Sequence, residues 1–170
     1  MAIGKESMRP GSFWRFIEGY IPAMTALIVS ALIFYCSGSI SERFSCGLWK
    51  SSNLYSAIFN WAAIQIGFSF GVYGFVLGKS SGFIFAARNT IAMRNFLKYV
   101  RAANLAGFLL TVASIPIIVW DPKLVKPMST SYVLVTLWFG LFSWSFLSFL
   151  RLAYNFGLLT SVKEVQFHGA

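Results

Sequence analysis

Four stretches of this sequence, at about 17–35, 54–78, 103–120 and 132–150, carry no Asp, Glu, Lys or Arg in their interiors. A helix that crosses a bilayer needs about 20 mainly apolar residues. A charge at its centre costs on the order of 3 kcal/mol on insertion scales. Each stretch is therefore expected to cross a membrane, and as a helix, because a segment in hydrocarbon must satisfy its own backbone polar groups. Composition agrees: 57% of the 170 residues are hydrophobic and 11% charged, against about 25% charged in an ordinary soluble domain. The expected fold is an all-α integral membrane protein, a single membrane domain over 1–170. Its architecture is a four-transmembrane-helix bundle with a short cytoplasmic amphipathic basic helix between spans two and three.

The net charge of +9 would suggest nucleic-acid binding in a soluble protein, but here the positions of the charges give another reading. Lys5, Arg9 and Arg15 precede span one, Lys79, Arg88, Arg94, Lys98 and Arg101 fill the loop 79–102, and Arg151 and Lys163 follow span four. The opposite side carries only Arg43, Lys50, Lys123 and Lys126. The positive-inside rule then places both termini, the middle loop and the tail 151–170 in the cytoplasm, of a bacterial inner membrane as the expected setting. No direct nucleic-acid partner is expected. The first apolar run lacks the features of a cleaved signal peptide, so it is expected to persist as span one. Trp14 suits a headgroup-level anchor, and Glu18, three residues after Arg15, suits an interfacial ion pair.

Within span two, Ala63, Gly67, Gly71, Gly74 and Gly78 recur at small-xxx-small spacing. Such stripes let helix backbones approach closely where lipid gives no hydrophobic drive to associate. They mark a helix-packing or oligomerisation face, within one bundle or between copies in a homo-oligomer. Gln65 is expected to make an interhelical hydrogen bond. Span four sets Ser143, Ser145 and Ser148 among large aromatic residues, which reads as a packing face or, in an oligomer, a pore wall. Pro116 should kink or fray the end of span three.

The loop 79–102 is the most informative polar segment. Gly78-Lys-Ser-Ser-Gly82 is no phosphate loop, because the glycine required five residues before Gly78 is Tyr73 and the preceding segment is a membrane span. Further on, Met93, Phe96, Leu97 and Val100 fall on one side of a helix and Arg94, Lys98 and Arg101 on another. That pattern fits a helix lying on the headgroups and attracting anionic lipid. It also fits a docking surface, formed by Arg88, Arg94, Lys98 and Arg101, for an acidic cytosolic protein partner.

Cys36 and Cys46 fall at the outer end of span one and in the first outer loop. An oxidising compartment would permit a disulfide between them, and a slightly deeper span would instead bury Cys36 as a small hydrophobe. The single histidine, His168, is isolated near the end of the chain, and Glu42, Asp121 and Glu164 are scattered. No metal site, cofactor or catalytic group is expected, and the chain does not read as an enzyme.

Cys46-Gly-Leu-Trp49 resembles the Gly-Leu-Trp of the first extracellular loop in claudin-like proteins, but that family folds a much longer loop into a sheet and membership is not claimed. By architecture alone the chain is similar to immunity proteins against pore-forming bacteriocins and to the small four-span membrane subunits of anti-phage systems such as Kiwa. The expectation is a non-enzymatic, homo-oligomeric scaffold or sensor that recruits a cytosolic partner, in the manner of an antiviral-defence subunit. The alternatives are an immunity protein against a membrane-inserting toxin and a subunit of an oligomeric channel.

Overall fold

The structure is a computed structural model. It describes the backbone of residues 12–80, 82–124 and 126–161 and, except at 12–19, 82 and 83, their side chains. Six helices follow one another: α1 (Ser12–Tyr35), α2 (Ser37–Ser45), α3 (Ser51–Gly78), α4 (Gly82–Ala87), α5 (Ile91–Trp120) and α6 (Thr130–Ser161). No strand occurs among the described residues. The expectations for Lys5, Arg9, Lys163, Glu164 and His168 lie outside the described residues, and those for Trp14, Arg15 and Glu18 outside the described side chains.

Helices α3, α5 and α6 are each long and apolar enough to cross a membrane. Span one departs from the simple expectation. Its helix ends at Tyr35, and α2 continues at an angle of 65°, so a fourth crossing requires the bent pair to act as one span. The break falls where the apolar run gives way to Cys36-Ser-Gly-Ser, residues that hold a helix weakly. Pro22 lies inside α1 and Pro116 inside α5, and neither ends its helix.

The basic helix expected between spans two and three also takes a different form. It is not a separate helix: Ile91–Trp120 is continuous. Thr90 starts it, its hydroxyl accepting the Met93 amide at 3.2 Å. From there to Ala102 and Ala103 the chain has no glycine or proline to stop it. The apolar side, Met93, Phe96 and Val100, is buried with Val72, Val76, Ala103 and Leu152, so protein rather than lipid covers it.

The packing is not a closed four-helix bundle. α5 lies against both α3 and α6, while the extensive contact of α1 among the long helices is with α6. Three helices thus form the core and α1 flanks it. A contact along its length sets the register of each pair. Gln65 donates to Ala103 O at 2.9 Å, Ser51 to Asp121 at 3.1 Å and Tyr55 to Pro122 O at 2.9 Å, while Arg88 donates to Leu77 O at the other end. α3 and α5 therefore run antiparallel, with Gly67 level with Arg101 and Gly74 level with Arg94 to within about a turn.

Two glycines set the closest approaches. A methyl group on Gly107 would lie 3.1 Å from the Ile66 side chain and 3.2 Å from Gln65 Nε2. One on Gly140 would collide with the Ser30 hydroxyl, with the Ala26 carbonyl 3.7 Å away. α3 meets α5 at Gly107, and α1 meets α6 at Gly140. Gln65, fully buried, also accepts a hydrogen bond from Ser145 at 3.1 Å, so one side chain ties three helices together.

Candidate functional site

Three surfaces emerge from this packing. The first is the small-residue stripe of α3. At about 100° of turn per residue, Ala63, Gly67, Gly71, Gly74 and Gly78 fall within an arc of about 80°. They lie roughly opposite the buried face made by Tyr55, Ile58, Ala62, Gln65, Ser69, Val72 and Val76. All five are exposed, and nothing lies within 4 Å of a methyl group built on Gly67, Gly71, Gly74 or Gly78. Among the described residues the stripe therefore plays no part in packing within one chain; Gly107 and Gly140, one on each of two other helices, do that work. Phe70, Phe75 and Leu77 are exposed alongside it.

The second surface is cationic. Arg94, Lys98 and Arg101 are exposed along one side of α5, opposite its buried residues. The same side continues as Leu105, Phe108, Val112, Ile115 and Val119, all exposed. A single helix face that changes from cations to apolar side chains in one turn marks where the helix enters hydrocarbon. From Arg101 to the exposed Trp120 is about 29 Å at 1.5 Å per residue, which matches a hydrocarbon core of about 30 Å. Arg88 stands apart from this row. Its guanidinium binds the Leu77 carbonyl at the end of α3 and rests over Phe85, compensating the negative end of that helix. Arg151 rests over the Tyr99 ring at 3.7 Å, joining α6 to α5 at the same level.

The third surface was not anticipated. A cavity of about 790 Å³ opens beneath the bent pair α1–α2, bounded by α3 and α6. Its deep wall is Val135, Thr136, Tyr132 and Leu124, all buried, and its outer wall is Leu48, Trp49, Lys50 and Asn53, all exposed. The Thr136 hydroxyl is engaged by Tyr132 O at 2.8 Å and the Tyr132 hydroxyl by Ile33 O at 2.9 Å, so the deep wall presents an apolar surface. The cavity exists because α1 leans on α6 and has no extensive contact with α3, and no local pattern in the sequence signals that gap.

The serines of span four do not line a common space. Ser143 and Ser148 donate to Phe139 O and Trp144 O of their own helix, and Ser145 is buried against Gln65. A pore wall within one chain is therefore not formed by Ser143, Ser145 and Ser148. Cys36 and Cys46 are both free and exposed. They flank the nine-residue helix α2, which holds them about 15 Å apart, whereas a disulfide needs Cα atoms within about 7 Å. The hydrogen bond from Lys123 holds the Asp121 carboxyl below its usual range, against a smaller opposing effect of burial.

No protein-family model, no characterised protein and no solved structure matches this chain. Sequence and geometry therefore carry the functional reading: this is a multi-span α-helical membrane protein.

Proposed function

We propose that the chain is a non-enzymatic membrane scaffold that self-associates through the glycine face of α3 and offers the cations of α5 to an acidic cytosolic partner. The observation that carries this reading is a mismatch of depth. Gly71, Gly74 and Gly78, with Phe75 and Leu77 beside them, are exposed and apolar at the level where α5 already presents Arg94 and Lys98. Lipid tails serve one of these faces poorly, whichever depth the membrane adopts. A second copy resolves the conflict, since two near-bare helix faces pack closely and leave the cations at the rim.

The open space at these glycines gives a clean test. In a single chain a leucine at Gly71 or Gly74 meets nothing within reach of its first carbon and gains up to about 1 kcal/mol of helix propensity. Gly71→Leu with Gly74→Leu is expected to keep the folded monomer. It should weaken self-association in lipid nanodiscs at least tenfold, about 1.4 kcal/mol, as read by mass at increasing dilution. Unchanged association would refute the glycine face. Reversing Arg94, Lys98 and Arg101 to glutamate should leave assembly intact and abolish salt-sensitive binding of an acidic partner.

A further inference from the structure

The cavity beneath α1–α2 has the anatomy of a site for one class of molecule. We propose that it binds an anionic amphiphile, with a hydrocarbon chain in the chamber and an acidic head at Lys50. This goes beyond the assembly reading and does not depend on it.

Two compartments meet at this place. The larger is the chamber of about 790 Å³, within the size range of small-molecule sites. Its deep walls offer hydrocarbon, since the Thr136 and Tyr132 hydroxyls are already bonded to backbone carbonyls. The smaller, about 310 Å³, is bounded by Lys50, Ser51, Ser52 and Lys123 together with Phe44, Trp49 and Leu124. Phe44, Trp49, Lys50 and Leu124 border both. A molecule filling both spaces is apolar at one end and polar at the other.

Charge decides the sign of the polar end. Asp121 reaches this compartment through its hydrogen bond with Ser51, and Lys123 pairs with it. Lys50 has no ion-pair partner among the described residues, so the compartment keeps one net positive charge. Lys50 is also the residue from which α3 starts, and no side chain caps that start. The free amides of the first turn add to the attraction for an anion. Depth agrees as well: Ser51 is bonded to Asp121, the residue that follows Trp120 at the edge of the hydrocarbon. An amphiphile seated here keeps its head at the interface and its chain in the apolar layer, the orientation a membrane imposes in any case. Trp49 closes the outer wall, held between Arg43, 5.5 Å from its ring, and Phe44, 5.6 Å away.

The test uses the full chain in phosphatidylcholine nanodiscs and three photoreactive probes with a diazirine on the acyl chain: a long-chain fatty acid, a phosphatidylglycerol and a phosphatidylcholine. Labelled positions are mapped by mass spectrometry. Saturable labelling of Leu54, Val135 or Phe139 by either anionic probe supports the proposal, and whichever probe labels at lower concentration identifies the source as free fatty acid or membrane lipid. Labelling should weaken about tenfold in Lys50→Glu, a substitution at an exposed residue that leaves the core untouched. Val135→Trp, which fills the chamber, should abolish it. Equal labelling by phosphatidylcholine overturns the proposal, as does labelling that never saturates, spreads evenly over the outward residues Leu27 and Leu32 and ignores Lys50→Glu.

Discussion

Replacing Gly140 by leucine is expected to separate α1 from the rest of the protein. The glycine lies where α1 crosses α6, and even a methyl group there collides with the Ser30 hydroxyl. A leucine must displace the helix, since the Ala26 backbone lies just behind, and overpacking of this kind costs about 3 kcal/mol. Because α1 has no other extensive contact with a long helix, the loss is confined to one joint. The α3–α5–α6 core should stay folded while α1 becomes sensitive to protease in detergent. The milder change, Gly140→Ala, tests the cause. It should destabilise by about 1 kcal/mol, and Ser30→Ala in the same chain should restore most of that loss by removing the obstructing oxygen. If the two substitutions simply add, the Gly140–Ser30 contact does not set the approach of α1.

Gln65→Leu is expected to loosen the α3–α5–α6 core at the point where its three helices meet. Gln65 is fully buried and joins α3 to Ala103 of α5 and Ser145 of α6. A leucine of similar volume deletes both bonds and leaves the Ser145 hydroxyl and the Gly107 approach unsupported. Interhelical hydrogen bonds in membranes contribute about 0.6–1.7 kcal/mol each, so a loss of about 2 kcal/mol is expected in denaturation by sodium dodecyl sulfate followed by circular dichroism. The double-mutant cycle with Ser145→Ala isolates one of the two bonds. A coupling of at least about 0.6 kcal/mol is expected; additivity would show that the bond to Ser145 contributes nothing to stability.

How legible these features were in the sequence depends on which property each one leaves behind. Charge-free runs located α3, α5 and α6, because insertion penalises charge regardless of packing. Hydropathy could not tell inside from outside. Leu109 and Leu110 are identical residues on one helix, yet Leu110 is fully buried and Leu109 is 42% exposed, since lipid and protein interior are equally apolar. The same blindness hides the direction of the glycine stripe. Its spacing defines a face, and only the position of the buried residues between its members shows that it points outward. Gly107 is the only glycine of α5, and Gly140 stands nearly five turns from Gly157, the other glycine of α6, so a search for repeated glycines passes over them. Gln65 was legible as an interhelical bond, because a primary amide in hydrocarbon must find partners. The continuity of α5 had a signal as well, in the unbroken run from Thr90 through Ala102 and Ala103, but the basic residues suggested a boundary that the backbone ignores. The cavity left no sequence trace. Its walls come from four helices and two loops, and it depends on how far α1 stands from α3.

Self-association through α3 is the claim on which the functional reading rests, and a spin label at residue 71 tests it most directly. In a chain with Cys36→Ser and Cys46→Ser, a nitroxide attached at Gly71→Cys should show strong spin–spin broadening in nanodiscs. It should also be poorly accessible to oxygen and to a water-soluble nickel complex alike, because protein covers it. Full accessibility to oxygen without broadening would place lipid against the glycine face and contradict the account.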